Sequence, residues 1–219
     1  MPMGLMNAPS TFQRAMDKLL GDLPFVRVYL DDIIVFSKSM EEHMEHLEIV
    51  LDRITEYNLK IKISKCHFFQ SEIELLGHLV SAEGVKVDPK KMEKIQNIPV
   101  PTTVTEVRSF LGLAGYYRRF IYNFAGIAKP LHAATSVKKK FAWNEEMDES
   151  FRGLKKAMTS PPVLAYLDFE KPFIVETDAS KVGVSAVLTQ KDEKGEVHPV
   201  QFTSRTMTPT VCRRHRPTF

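Results

Sequence analysis

Two short apolar runs separated by a pair of acidic residues constrain the fold of this chain more than any other feature. Residues 25–30 and 33–37 are rich in β-branched and aromatic side chains, which favour strands. Between these runs the sequence holds only Asp31 and Asp32, and two residues are the loop length of a tight β-hairpin. The sequence therefore predicts an antiparallel hairpin with neighbouring carboxylates at its tip.

Helical patterns flank this hairpin on both sides. Apolar residues fall on one face over residues 7–20, where Pro9 suits the first turn of a helix. Ser39 and Glu42 form a capping box, which predicts the start of a second helix after the hairpin. Further strands are predicted at residues 59–63, 75–80 and 85–87, with a turn at Glu83 and Gly84.

The pattern becomes mainly helical over residues 91–160. Thr103 and Asn144 are suited to cap two of these helices, and Pro161 ends the last of them. After that proline the pattern changes to strands, so a different domain is predicted to begin there. The predicted strands cover residues 172–177, 183–189 and 197–203, with a hairpin turn at Lys194 and Gly195.

The composition fits a globular protein and permits a polyanionic partner. With 219 residues, 43% of them hydrophobic, the chain can form one to two compact domains. Lys and Arg together outnumber Asp and Glu by 30 to 27, and several cationic pairs lie in the second half of the chain. Clustered positive charge of this kind permits nucleic-acid binding and is also typical of solvated surfaces.

Several other classes of protein are disfavoured. The sequence has 2 cysteines, too few for a disulfide framework. His43 and His46 lie one helical turn apart and could hold a metal, but no third ligand accompanies them, so we expect them to be exposed. No apolar run approaches the roughly 20 residues of a membrane span, and the amino terminus does not have the pattern of a signal peptide. An intracellular protein is therefore expected.

The paired aspartates are compatible with a specific chemistry as well as with a turn. Two-metal phosphoryl transfer requires carboxylates that hold divalent ions about 3.5–4 Å apart, and a hairpin presents its tip residues rigidly. Asp31 and Asp32 meet this requirement. Because aspartate is a common turn residue, an isolated pair is more often a turn former than a metal site.

The flanking residues resemble a known family. Tyr29, Leu30, Asp31 and Asp32, placed between two apolar strands, resemble the Tyr-x-Asp-Asp box of reverse transcriptases in the version of the gypsy-class LTR retrotransposons. Further resemblances follow in the order of that family. The segment that lines the nucleotide pocket is resembled by residues 1–5 and 7–13, and the turn that holds the primer end by residues 75–78. The thumb is resembled by residues 110–113 and 116–121. The opening strands of the RNase H domain are resembled by residues 161–164, 171–173, 177–180 and 183–184.

The resemblance implies an α+β fold. Its parts would be the C-terminal half of a polymerase palm with an antiparallel hairpin, a helical thumb, and a truncated RNase H-like α/β domain. The corresponding domains are residues 1–90 for the palm with its primer-grip turn, 91–160 for the thumb and connection, and 161–219 for the N-terminal part of the RNase H-like domain.

The resemblance also implies roles for individual residues. Asp31 and Asp32 are expected to be catalytic and to bind two Mg²⁺ ions, and Asp178 is expected to bind metal in the RNase H domain, where a complete site holds two Mg²⁺. Glu176, two residues earlier, is expected on the opposite face of its strand and is not a candidate. The expected nucleotide or primer contacts are Tyr29, Leu30, Met3, Gly4, Leu76 and Gly77, and weaker nucleic-acid contacts are expected at Tyr116 and Arg118.

The expected partners are an RNA template, a DNA primer and deoxynucleoside triphosphates, without a membrane. In this family the polymerase site uses a third aspartate and a fingers region, both upstream of the segment that matches Met1. Residues 210–219 are basic, lack a regular period and do not match the family's RNase H helix, so a frayed or aberrant end is expected there. The 219 residues alone are therefore expected to be inactive.

Two alternative interpretations remain open at this point. The chain could belong to a noncatalytic, degenerate retroelement remnant that only binds nucleic acid. It could also be a freestanding α/β binding module, which would fold cooperatively by itself. The incomplete second domain disfavours this last interpretation.

Overall fold

The computed structural model describes residues 4–135, 141–180 and 183–207. It divides the chain into two compact units, residues 1–68 and residues 69–219. Met3 and the basic stretch at 211–219 lie outside the described residues. The domain boundaries at residues 90 and 160 stay predictions.

The first unit, in its described part, packs two helices against a two-stranded hairpin. Its elements are α1 (Ala8–Leu20), β1 (Val26–Tyr29), β2 (Asp32–Val35), α2 (Met40–Glu56) and a short 3-10 helix at Ile63–Lys65. Helix α1 buries apolar residues of its last turns, as the helical spacing predicts. Helix α2 buries Val50 and Ile54, whereas Met44 and Leu51 on the same helix are exposed. The core of this unit consists of Met16, Leu19, Leu20, Leu23, Val26, Val50 and Ile54.

Helix α2 begins and ends at residues that bind its free backbone groups. At its start the Ser39 hydroxyl accepts a hydrogen bond from the Glu42 amide at 3.2 Å, as the capping box predicts. At its end Asn58 adopts a left-handed φ of 55°, and the Leu59 amide donates to the Ile54 carbonyl at 3.0 Å. This is the Schellman arrangement, which satisfies carbonyls that the helix would otherwise leave free.

The strand predicted at residues 59–63 is wrong. Among the described residues this segment has no partner strand, and Leu59 already uses its amide to close helix α2. Ile61 and Ile63 are 40% and 78% exposed, so the alternation of apolar residues does not mark a buried face. A strand needs a neighbour for its backbone groups, and local alternation cannot supply one.

The second unit, over the residues that the structure describes, contains two antiparallel three-stranded sheets and a helical core. In chain order its elements are β3 (Glu72–Leu75), β4 (His78–Ser81), β5 (Gly84–Val87), α3 (Pro89–Gln96), α4 (Val104–Tyr116), a 3-10 turn at Arg118–Phe120, α5 (Phe124–Ala134), α6 (Glu145–Thr159), β6 (Ile174–Ala179), β7 (Gly183–Lys191) and β8 (Val197–Thr206). Strands β3 to β5 form one sheet and strands β6 to β8 form the other. The predicted α+β architecture is confirmed.

A tight turn divides the strand predicted at residues 75–80. Leu76 and Gly77 connect β3 to β4 with φ values of 48° and 75°. Positive φ at both turn residues is the pattern of a type I′ hairpin. The strand pattern did not show this turn, because only Gly77 has the residue type that such a turn favours. The family resemblance of residues 75–78 did predict a turn here.

The next turn lies one residue earlier than predicted. Ser81 pairs with Gly84, which leaves Ala82 and Glu83 as the turn between β4 and β5. Gly84 is therefore the first residue of β5, and its φ of 135° lies in a region that favours glycine.

A hydrophobic core holds the second unit together. Leu131 of α5 and Leu154 of α6 are fully buried, and so is Val87 of β5. Leu164 joins this core with 1% of its surface exposed. Its backbone forms a bridge to β5, since the Val85 amide donates to the Leu164 carbonyl at 2.8 Å and the Leu164 amide donates to the Val85 carbonyl at 2.9 Å. The chain after α6 is thereby attached to the first sheet of its unit.

Two helices of this unit begin where the sequence predicts. The Thr103 hydroxyl accepts from the Glu106 amide at 3.2 Å at the start of α4. The Asn144 side chain accepts from the Met147 amide at 2.9 Å at the start of α6. Across the described residues, no helix is both long and apolar enough to cross a membrane.

Candidate active site

The tip of the β1–β2 hairpin lies one residue earlier than the sequence predicts. Tyr29 pairs with Asp32, which leaves Leu30 and Asp31 as the two turn residues. Asp31 therefore occupies the turn, and Asp32 is the first residue of β2. The carboxylates remain adjacent, but one belongs to the loop and the other to the ladder.

Cross-strand packing explains this register. The observed pairing places Val26 opposite Val35 and Val28 opposite Ile33, so apolar residues face one another along the hairpin. A turn one residue later would place Val26 opposite the polar Ser37. Directly opposed side chains stabilise a sheet, so the observed register is favoured.

The hairpin directs one face to the hydrophobic core and carries acidic groups away from it. Ile33 and Val35 pack against the core of the first unit. Because side chains alternate along a strand, Asp32 points to the opposite face, together with its partner Tyr29. Asp31 and Asp32 are exposed, and within residues 4–135, 141–180 and 183–207 neither forms a salt bridge or a side-chain hydrogen bond.

The donor set at the tip fits a divalent ion that prefers oxygen. Carboxylate oxygens are the ligands that Mg²⁺ takes in proteins. The oxygens of Asp31 and Asp32 are accessible to solvent and are not neutralised by a described cationic side chain. These residues would therefore hold such an ion.

The base of the hairpin is braced by two histidines of α2. The His46 ring stacks on Phe25 with 3.5 Å between ring centroids. The Ser37 hydroxyl lies 3.0 Å from Nδ1 of His43 and 2.8 Å from Nδ1 of His46. Both histidines are half-buried, so the expectation that they are exposed is wrong. Among the described residues they belong to no group of three side chains that could hold a metal.

Two candidate nucleotide-binding residues have left-handed backbone angles. Gly4 has a φ of 88°, and a Cβ added there would meet nothing within 4 Å. Glycine is therefore favoured at this position by its backbone angle and not by lack of space. Leu30 has a φ of 52° in spite of its side chain. Met3, which is also a predicted nucleotide or primer contact, lies outside the described residues.

The Leu76–Gly77 turn is held by the end of helix α4. The Tyr116 hydroxyl donates to the Leu76 carbonyl and lies 3.4 Å from Nδ1 of His78. The His78 ring also stacks on Tyr116, with 5.2 Å between ring centroids. The structure thus brings together Leu76, Gly77 and Tyr116, which the sequence analysis assigned to separate domains.

His78 makes the stability of the second unit depend on pH. Burial of the imidazole and the positive charge of Arg119 lower the pKa of His78 below its ordinary value of 6.5. The unfolded chain then binds a proton at a pH where the folded unit does not, so stability falls as the pH drops from about 6.5 through the folded pKa. We expect His78→Phe to reduce this loss, because phenylalanine keeps the stacking and does not titrate.

The free energy of unfolding, measured with urea at several values between about pH 5 and pH 8, tests this expectation. The wild-type protein should lose stability more steeply than the variant on the acid side. Equal slopes for the two proteins would contradict the assignment to His78.

Asp178 lies in β6 of the second unit and is exposed. The Tyr122 hydroxyl donates to its Oδ2 at 3.1 Å, and this carboxylate raises the pKa of the Tyr122 phenol. Asp178 pairs with Ser185, and Glu176 pairs with Val187 in the same regular ladder. Residues two apart in a strand share a face, so the expectation that Glu176 lies on the opposite face is wrong.

Arg118 contacts the second sheet of its own unit. Its Nη2 donates to the Ser204 carbonyl at 3.4 Å, and the Ser204 hydroxyl accepts from the Ala125 amide at 2.9 Å. The sequence analysis missed Tyr122, which approaches Asp178 from 56 residues away. No local pattern could have identified Tyr122, because only the packing of α5 against β8 brings these segments together.

One other group of metal-compatible side chains forms a turn. In the described part of the chain, Asp192, Glu196 and His198 have ligand atoms within 4.8 Å of one another. Asp192 accepts from the amides of Lys194 at 2.9 Å and Glu196 at 2.8 Å, and its other oxygen lies 3.1 Å from Nε2 of His198. Gly195 has a φ of 84°. These contacts stabilise the hairpin turn predicted at this position and account for the clustering.

Two family models match the chain. The model described as reverse transcriptase (RNA-dependent DNA polymerase) matches residues 1–80. The model described as RNase H-like domain found in reverse transcriptase matches residues 143–216. The first match includes the hairpin with Asp31 and Asp32, and the second includes Asp178. Both families generally use divalent metal ions.

The curated relatives are retrotransposon polyproteins. The chain is 43% identical over 210 residues to the retrovirus-related Pol polyprotein from transposon 297 of Drosophila melanogaster. This match covers 94% of the chain and 19% of the relative. The chain is also 40% identical over 223 residues to the corresponding polyprotein from transposon gypsy of the same species. That match covers 94% of the chain and 21% of the relative. The chain spans about a fifth of the length of these relatives.

A solved structure has the same fold. It is the foamy viral protease-reverse transcriptase in complex with RNA/DNA hybrid, which is 28% identical and superposes with a TM-score of 0.84 over 97% of this chain and 29% of that chain. In this chain the reverse transcriptase match precedes the RNase H-like match. The chain therefore carries reverse transcriptase and RNase H-like sequence of the kind found in the Pol polyproteins of gypsy-class retrotransposons.

Proposed function

We propose that the protein to which this chain belongs is an RNA-directed DNA polymerase that adds deoxynucleotides to a DNA primer on an RNA template. The observation that carries the proposal is the hairpin tip, where Asp31 and Asp32 are adjacent and exposed. Among the described residues neither carboxylate forms a salt bridge or a side-chain hydrogen bond. The reverse transcriptase match over residues 1–80 supports it. So does the likeness to a reverse transcriptase that was solved with an RNA/DNA hybrid.

Asp31 and Asp32 would hold two Mg²⁺ ions at the tip of the hairpin. When bound, two such ions activate the primer 3′-hydroxyl and stabilise the leaving pyrophosphate. The 3′-hydroxyl loses its proton to water, its oxygen forms a bond to the α-phosphorus of the triphosphate, and the bond from that phosphorus to the leaving pyrophosphate oxygen breaks. The strand ladder fixes Asp32, since its partner Tyr29 holds it at the last pair of the hairpin. Rigid presentation of this kind lowers the barrier, because the ligands need no reorganisation during the reaction.

The neighbours of the aspartates would contact the nucleic acid and the nucleotide. Tyr29 is 53% exposed on the same face as Asp32, where it would lie against the minor groove of the template–primer duplex. Leu30 would contact the nucleotide or the primer end. Gly4 would allow the backbone to approach the nucleotide closely, because position 4 has no Cβ. Met3 would lie beside it at the nucleotide.

The turn at Leu76 and Gly77 would contact the primer end. Tyr116 would act mainly by holding this turn, because its hydroxyl binds the Leu76 carbonyl. Arg118 is exposed and uses only Nη2 in its contact with the Ser204 carbonyl, so its other N–H groups could donate to a phosphate. Phosphate contacts of this type do not depend on sequence and weaken as salt rises.

Asp178 would be a metal ligand of the RNase H-like domain. Its side chain is exposed and its second oxygen, Oδ1, has no partner among the described residues. A complete site of this family would hold two Mg²⁺ and needs further acidic ligands. Tyr122 would fix the orientation of Asp178 through its hydrogen bond.

Primer extension by the full-length protein tests the proposed function. We expect incorporation of deoxynucleotides on a DNA-primed RNA template in the presence of Mg²⁺, and none after removal of the ion with a chelator. Primer–template binding by the full-length protein without any extension would overturn the proposal and support a noncatalytic remnant instead.

A further inference from the structure

The side chain of Gln13 connects helix α1 to the acidic tip of the hairpin. Its Oε1 accepts a hydrogen bond from the Leu30 amide at 2.7 Å. Its Nε2 donates to the Val28 carbonyl at 3.1 Å and to Oδ1 of Asp17 at 2.8 Å. One partly buried amide group therefore binds the backbone on both sides of Tyr29.

The chemistry of the partners fixes the orientation of this amide. A backbone N–H can only donate, so the atom facing Leu30 has to be the oxygen. The Val28 carbonyl and the Asp17 carboxylate can only accept, so the atom facing them has to be the nitrogen. Every contact of Gln13 agrees with this single orientation.

The backbone groups that Gln13 binds belong to an edge strand. Strand β1 pairs only with β2 among the described residues of its sheet, so its other edge lacks a strand neighbour. A carboxamide carries the same donor and acceptor as a peptide group. Gln13 thus satisfies the Val28 carbonyl and the Leu30 amide as a neighbouring strand would do.

The conformation of Leu30 shows why the turn needs such support. Its φ of 52° is unfavourable for a side chain with a Cβ and persists only where surrounding contacts hold it. Leu30 is followed directly by Asp31, so any relaxation of its backbone would move the carboxylates. The hydrogen bond from the Leu30 amide to Gln13 opposes that relaxation.

We propose that Gln13 is a positioning residue that holds the hairpin tip in the geometry needed by Asp31 and Asp32. This inference rests on the proposed polymerase function. The proposed role of Gln13 involves no direct contact with metal, nucleotide or primer. It acts through the backbone of Val28 and Leu30, and Asp17 orients its amide from one helical turn away.

Two variants of the full-length protein separate this role from a general effect on folding. Gln13→Leu removes both backbone hydrogen bonds. Gln96→Leu is the matched control, because it makes the same substitution at an exposed glutamine of helix α3, and it should retain activity within about twofold.

We expect Gln13→Leu to speed amide hydrogen exchange at Leu30 about tenfold or more, because the amide loses its acceptor. We also expect kcat for nucleotide incorporation to fall about 10- to 100-fold, with the KM for primer–template nearly unchanged. The Mg²⁺ concentration for half-maximal rate should rise, which a purely structural role would not produce.

Unchanged amide exchange at Leu30 in the Gln13→Leu variant would show that the hydrogen bond to Gln13 does not protect this amide, and it would overturn the proposal whatever the activity. Faster exchange with an unchanged kcat would overturn the positioning role. A wild-type protein that does not polymerise, but whose Leu30 exchange depends on Gln13, would overturn the proposed function together with the positioning role and leave only the structural contact.

Discussion

Asp32→Asn in the full-length protein is expected to abolish RNA-templated DNA synthesis, and Asp31→Asn is expected to do the same. Asparagine keeps the size of the side chain and removes the negative charge that attracts Mg²⁺. Because both aspartates are exposed at the end of the hairpin, the fold should tolerate the change. We expect a fall in the rate of nucleotide incorporation of about 1,000-fold or more, measured at saturating primer–template and nucleotide.

Binding of the primer–template should persist in both variants, because the remaining nucleic-acid contacts are unaltered. Asp52→Asn supplies a matched control, since Asp52 is an exposed aspartate on helix α2 of the same unit. That variant should extend primers at a rate within about twofold of the wild type. Normal extension by either hairpin variant would refute the assignment of these carboxylates to the metal ions.

Gly84→Ala is expected to destabilise the second unit by about 2–5 kcal/mol. A Cβ at position 84 would lie 2.3 Å from the Leu164 carbonyl oxygen and 3.1 Å from its carbon. That carbonyl accepts the Val85 amide in the bridge between β5 and Leu164, so the bridge would have to open. The φ of 135° adds strain for a residue with a Cβ. Urea unfolding of the variant and the wild type would measure the difference.

The same substitution at Gly112 should have the opposite sign. Gly112 lies within helix α4, is exposed, and a Cβ there would meet nothing within 4 Å. Alanine favours the helix, so Gly112→Ala should stabilise the unit by about 0.5–1 kcal/mol. If both substitutions changed the unfolding free energy equally, the close approach of Leu164 to Gly84 would not be the cause.

Elements whose determinants lie within one turn could be predicted from the sequence. The capping pair of Ser39 and Glu42 marks the start of α2 because its hydrogen bond joins residues three apart. Thr103 marks α4 in the same way. The β-branched and aromatic runs of the first hairpin identified its strands, because core packing selects the same residues that favour strands.

Elements that depend on distant partners were predicted less well. The strand proposed at residues 59–63 is absent from the described structure because it lacks a neighbour. The strand pattern over residues 75–80 missed the turn at Leu76 and Gly77, which only the family resemblance predicted, and Tyr116 holds this turn from 40 residues away. The hairpin tip was placed one residue late because the choice between two registers depends on which residues of β1 and β2 pack together.

The candidate site divides in the same way. The sequence alone determined its chemical content, since adjacent aspartates between two apolar strands already specify hard oxygen ligands at a hairpin tip. Only the tertiary structure decided that Asp31 lies in the turn and Asp32 in the ladder, that Gln13 binds the Leu30 amide, and that Tyr122 binds Asp178. The reason is that ladders, caps and turns follow from residues a few positions apart, whereas these contacts form only when complete hydrophobic cores bring distant segments together.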